Sequence, residues 1–185
     1  NSIATTSGNV TVTGIVPTGA TNLAYGISMN ATNSIVSSSG NIILTGTTNT
    51  SSGAARGLDV NTSCAFGSTG TVTCLNCIGP NGGVFINTGL TFSNVGNIAL
   101  TNCQGNTAAG IGILVQGSTV STSGSGSTIT MSGIGSGTQP GLKNTGTIRT
   151  NGTGTSPRPD ITLSGTSGGT GALGITNTGT ITTVT

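Results

Sequence analysis

Four cysteines, two carboxylates and four basic side chains make up the reactive inventory of this 185-residue chain, which has no His. Cys74 and Cys77 stand in a C-x-x-C spacing, which zinc sites and thiol–disulfide exchange both use. On a strand, residues three apart point to opposite faces, and there is no His to complete a mixed ligand set, so neither zinc nor any other cofactor is expected. Asp59 and Asp160 are the only carboxylates, too few for calcium, which wants several Asp per site. With no Ser beside a plausible base, hydrolysis has no general acid or base to draw on. The inventory therefore predicts a protein that is not an enzyme. Arg149 and Arg158 flank "TNGTGTSPRPD", where Pro157 and Pro159 mark an insertion. A small anion or a sugar is the ligand such a pair would take, although charges of this kind more often solvate a loop.

Composition narrows the field further. Gly, Thr, Ser and Asn supply 112 of the 185 positions, charged residues only 3% and aromatic residues 2%. A net charge of +2 cannot hold a phosphate backbone, which takes clustered Lys and Arg with stacking partners, so nucleic acid is not an expected partner. The longest apolar run is "IGILV" at Ile111, far short of the roughly 18 to 20 residues of a spanning helix, and no membrane insertion is expected. The opening "NSIATTSG" has neither a basic n-region nor an apolar h-region, so a secretion leader is expected to have been removed or to lie outside this sequence.

What positions these residues is a repeat. "GNIILTG" at Gly40 returns as "GNIALTN" at Gly96, with looser copies "GNVTVTG" at Gly8 and "DITLSG" at Asp160. Six apolar pairs emerge: Val10/Val12, Ile42/Leu44, Val72/Cys74, Ile98/Leu100, Ile129/Met131 and Ile161/Leu163, at intervals of 32, 30, 26, 31 and 32 residues. A second segment follows a Gly in each unit, as in "GISM" at Gly26, "GLDV" at Gly57 and "GVFI" at Gly83, and most units add a third, such as "SIVS" at Ser34 and "STVST" at Ser118. Within segments, apolar residues alternate with Thr, Ser or Asn, which is strand periodicity. Three short strands per unit, with Gly and Asn at the corners, describe one rung of a β-solenoid; a β-sandwich has no reason to repeat at three strands per unit. Residues 1–185 are thus expected to form one all-β solenoid domain, with rungs starting near residues 8, 40, 70, 96, 126 and 159. Stacked at about 4.8 Å, six rungs make a rod roughly 29 Å long.

The alignment assigns the remaining candidates. Cys77 and Cys103 each follow their anchors, Val72 and Ile98, by five residues and should stack on adjacent rungs, at a spacing inside the Cα range of about 4.4 to 6.8 Å for a disulfide. That leaves Cys64 to pair with Cys74; the competing reading is four reduced thiols packed as small apolar residues. Asp59 and Asp160 fall in units two and six, beyond the roughly 5 to 9.5 Å that paired glycosidase carboxylates need. Of five Asn-x-Ser/Thr sequons, at Asn9, Asn30, Asn49, Asn61 and Asn151, several arise by chance in such a composition. Asn49 and Asn151, in corner loops, are the best glycosylation candidates. The outward residues of the first strand are mostly Thr, interrupted by Ile43, Leu75 and Ala99, which form a candidate lateral contact between chains.

The units "GNIILTG" and "GNIALTN", each followed by Gly-Ile/Leu-x-Val/Ile and a Thr/Ser-rich strand, resemble repeats of secreted bacterial β-helix proteins of the filamentous haemagglutinin and autotransporter passenger type. A fainter similarity links "CQGNTAAGIGI" at Cys103 to repeats of chlamydial polymorphic outer-membrane proteins. The resemblance implies a right-handed parallel β-helix, extracellular or on a cell surface, used for adhesion or as a structural fibre; it carries over no catalytic residues. The expected partners are the chain itself, stacking end to end or continuing a longer passenger, and host or cell-surface glycans. The alternative is an ice-binding solenoid presenting its Thr-rich face.

Overall fold

The computed structural model describes residues 3–20, 23–32, 35–50, 54–152 and 159–184, and among these every regular element is a β-strand. The six apolar pairs lie on strands of one sheet: Val10–Val16, Ile42–Thr48, Val72–Leu75, Ile98–Gly105, Thr128–Ile134 and Asp160–Thr166. The short strand Ile78–Gly79 completes this sheet in the third rung by pairing with both neighbours. A second sheet stacks Tyr25–Met29, Arg56–Val60, Gly82–Ile86, Ile111–Val115, Leu142–Asn144 and Ile175–Asn177. The third stacks Cys64–Ala65, Thr91–Asn94, Thr119–Thr122, Thr147–Thr150 and Thr180–Thr183. On that same side, Ile3–Thr5 pairs with Ile35–Ser37, and the Ser37 amide donates to the Phe66 carbonyl at 3.4 Å. All recorded pairings are parallel. The fold is a β-solenoid of about six turns.

Register explains why the sequence repeats. Val10, Ile42, Val72, Ile98, Ile129 and Ile161 lie directly over one another, as do Val12, Leu44, Cys74, Leu100, Met131 and Leu163. The six pairs read from sequence are therefore two inward columns, and they are buried in every interior rung. Ile27, Leu58, Val84, Ile113, Leu142 and Ile175 form the facing column of the second sheet. Each fully buried aliphatic side chain contributes about 1.5–3 kcal/mol. A one-residue slip of any strand would turn its whole hydrophobic set outward, so the columns also fix the register.

The glycine that opens each second segment has a packing cause. A Cβ built on Gly57 would lie 2.5 Å from the Ile78 amide nitrogen and 2.7 Å from the Gly46 carbonyl oxygen, and one on Gly141 would lie 2.2 Å from the Gly133 carbonyl oxygen. The first and second sheets thus touch backbone to backbone where the chain passes between them, leaving no room for a side chain. This contact keeps the cross-section narrow and accounts for a core of Val, Ile and Leu, with one ring pair, Phe66 and Phe92, at 4.9 Å and 62°.

Candidate functional surfaces

All four cysteines are buried and free. Cys77 and Cys103 do stack on adjacent rungs, the Gln104 amide donating to the Cys77 carbonyl at 2.8 Å, but the expected disulfides Cys77–Cys103 and Cys64–Cys74 are not formed. In-register parallel neighbours hold their Cβ atoms near the strand spacing of about 4.8 Å, outside the roughly 3.5–4.5 Å that a disulfide takes. Cys64 and Cys74 sit on different walls of the core, Cys64 beside Phe92 in the third sheet and Cys74 beside Leu44 and Leu100 in the first.

Cys74 and Cys77 also correct the sequence reading, because both point inward. Asn76 and Asn102 adopt left-handed backbone, at φ 52° and 53°, and the register of the first sheet shifts between Leu100 and Cys103. This extra residue reverses the strand alternation, so that the next side chain, Cys77 or Cys103, enters the core. Burial pushes the Cys64 thiol up to about 11 and holds Cys74 well above its ordinary value. Cys103 is raised by its hydrogen bond to Cys77 and then by burial, while Cys77, on the receiving side of that bond, is drawn down. Among the described residues, no three His, Cys, Asp or Glu side chains converge on a metal-ligating point. The arrangement leaves thiols acting as small core residues.

The charged pair lies on the second sheet and was missed by sequence reasoning. Asp59, buried to 1% exposure, pairs with Arg56 and accepts from Asn61 and Asn87, the latter at 3.1 Å. The Arg56 guanidinium lies 4.1 Å from the Phe85 ring centroid on the next rung. Arg-x-x-Asp within "RGLDV" was the available signal. The cluster continues as an asparagine ladder, Asn61 donating to Asn30 at 3.1 Å and Asn87 to Asn61 at 2.8 Å. The Asp59 carboxylate thus meets partners of its own wall and is kept from solvent, and the cluster ties adjacent rungs together. Asp160 stands at the start of the last first-sheet strand, on a different sheet from Asp59.

The outward face of the first sheet carries the other candidates. Ile43, Thr73 and Ala99 follow one another in one column with Thr11, Thr130 and Thr162, and Leu75 stands opposite Thr101 in the next. The structure places all three apolar residues on this face, yet only Leu75 is exposed; Ile43 and Ala99 are half-buried among their neighbours. The Asn49 side chain is exposed and that of Asn151 half-buried. Arg149 is exposed, and Arg158 lies outside the described residues.

The two ends expose core. Ile181 continues the inward column Phe92, Val120 and Ile148, and it is 41% exposed because no described strand lies beyond it. Ile175 is exposed for the same reason at the end of the second sheet. At the opposite end Ile3 is 48% exposed on a strand with one neighbour. That strand, Ile3–Thr5, was also missed, although "SIATTSGN" at Ser2 parallels "SIVSSSGN" at Ser34. No protein-family model, curated protein or solved structure matches the chain.

Proposed function

We propose that the chain is a structural unit of an extracellular or cell-surface rod, lengthened when a further solenoid rung seats on its open ends. The observation that supports this most strongly is that Ile175 and Ile181 stand in register with buried core columns and are themselves uncovered. Each open end offers the same unpaired amides, carbonyls and apolar cross-section that every interior rung satisfies by pairing. A second copy supplies such a rung, and so does flanking sequence in a longer passenger. Adhesion, with cell-surface glycans as ligands, falls to the corner loops, since loops carry recognition on a rigid scaffold. Sedimentation and electron microscopy across a concentration series test the self-assembling form: rods whose length grows with concentration are expected, and uniform monomers throughout would remove it.

A second reading, ice binding, is favoured by one feature, the outward Thr11, Thr130 and Thr162 and the neighbouring Thr13 and Thr45 on a single parallel sheet. Thermal hysteresis of the purified chain decides it.

A further inference from the structure

We infer that the corner joining the third sheet to the first at the entry to the fourth rung is a binding site for a neutral sugar. The inference rests on the adhesive part of the reading above, which gives glycans to the corner loops, and it names the loop and the class of ligand.

The site follows from unequal corner lengths. Between Asn94 and Ile98 the chain turns in three residues, 95–97, whereas the previous corner takes six, 66–71, and the next takes five, 123–127. The short corner is recessed between two longer ones. The result is a cleft of about 390 Å³ with Val95, Gly96 and Asn97 as its floor, Thr69 on one wall and residues 124–127 on the other. Its volume lies within the range of small-molecule sites. Recessing one of three stacked corners opens a slot about 4.8 Å thick, one strand spacing, which suits a saturated ring lying between the walls.

The cleft is braced by its own loops. Asn94 Nδ2 donates to the carbonyls of Gly70 and Asn97, both at 3.0 Å. The Gly96 amide donates to Ser68 at 2.7 Å, and that of Gly124 to Val95 at 2.6 Å. Gly126, at φ 64°, turns the far wall back so that the Ser127 amide reaches the Gly124 carbonyl at 3.1 Å. A site held in this way loses little conformational freedom on binding.

Its chemistry selects the ligand. No lining residue is charged, so an ionic ligand finds no counter-charge. Asn97 Oδ1 accepts from the Thr128 amide at 2.8 Å and the Thr128 hydroxyl at 3.2 Å, while Nδ2 forms no hydrogen bond among the described residues. Ser127 is 4% exposed, and its buried hydroxyl has no partner among the described residues. Thr69 and Ser125 add exposed hydroxyls, and Val95, 37% exposed, supplies an apolar face. Donors and acceptors around one small apolar surface complement a sugar, which carries hydroxyls at its edge and C–H groups on its face.

The test is an amide-resolved NMR titration of the full chain, in dilute solution, with lactose, cellobiose and N,N′-diacetylchitobiose. At least one should shift the amides of residues 95–97 and 124–127, with a Kd of about 1 mM. Asn97→Asp keeps the acceptor for Thr128 and removes the donor; Val95→Ser removes the apolar face. Circular dichroism establishes that both variants keep their β-structure. Asn97→Asp should weaken binding about tenfold and Val95→Ser about threefold. Shifts confined to other amides, or binding left unweakened by either variant, overturn the cleft and leave glycan adhesion standing. No shift from any of the three sugars overturns the cleft, and failure to capture any neutral, sialylated or sulfated oligosaccharide on an array overturns glycan adhesion as well.

Discussion

The side-chain amide of Asn102 donates to Asn76 one rung away at 2.6 Å, and both residues hold left-handed backbone. This stacked pair is the hinge that sends Cys77 and Cys103 into the core, and it exists in only two rungs among the described residues. Left-handed backbone costs an ordinary L-residue roughly 1–2 kcal/mol, which Gly escapes and Asn partly offsets. Asn102→Ala should therefore lower stability in urea by about 2 kcal/mol, backbone strain adding to the lost hydrogen bond. Asn102→Gly should cost less than Asn102→Ala.

The contact between Gly46 and Gly57 predicts a harsher outcome. The new methyl of Gly46→Ala would meet the Gly57 carbonyl oxygen at 2.1 Å, a backbone atom that cannot rotate away. The two sheets must separate locally, and a loss of 3 kcal/mol or more is expected, on the order of the largest overpacking effects. Gly19→Ala is the contrasting case, with nothing within 4 Å but a φ of 97°. It should cost only the backbone term, roughly 1–2 kcal/mol.

Thr122 and Thr150 are fully buried, adjacent in the third sheet, and their hydroxyl oxygens have no hydrogen-bond partner among the described residues. Valine matches their shape and removes the desolvated hydroxyl, so Thr150→Val should stabilise the fold by about 1 kcal/mol in chemical denaturation.

Alkaline pH should weaken the fold through its thiols. Burial raises Cys64 from an ordinary 9.0 to about 11, so above pH 9 the unfolded chain releases a proton that the folded chain retains. Stability falls wherever the folded state binds more protons; the Cys64 contribution is complete below pH 9 and is lost as pH climbs towards 11. The melting temperature should decline across that window, and Cys64→Ala should flatten the decline. The same burial predicts that none of the four thiols reacts with a thiol reagent at pH 8 until the chain is denatured.

The columns were legible in the sequence because strand side chains alternate with a period of two and parallel stacking repeats the same burial at every turn. Val10, Ile42, Val72, Ile98, Ile129 and Ile161 could be aligned by eye and are aligned in space. Cys77 was misread because its direction depends on the backbone of one residue, Asn76, and hydrophobic periodicity does not report a single left-handed φ. The Cys77–Cys103 disulfide failed for a related reason: sequence alignment gives rung spacing but not the parallel Cβ vectors that keep the sulfurs from bonding, while Cys64 and Cys74 lie on different sheets. Arg56 was passed over because its role depends on Asp59 and Phe85 lying on the same outer wall of adjacent strands.

The most direct test of the account is hydrogen exchange of the edge strands at low and high protein concentration. The amides of Val10–Val16 and Asp160–Thr166 that point away from the neighbouring strand, about every second one, should exchange fast in dilute solution and become protected together as concentration rises, while Ile42–Thr48 and Ile98–Gly105 stay protected throughout. Interior strands that are protected while both edges exchange at the same rate at every concentration would contradict end-to-end joining.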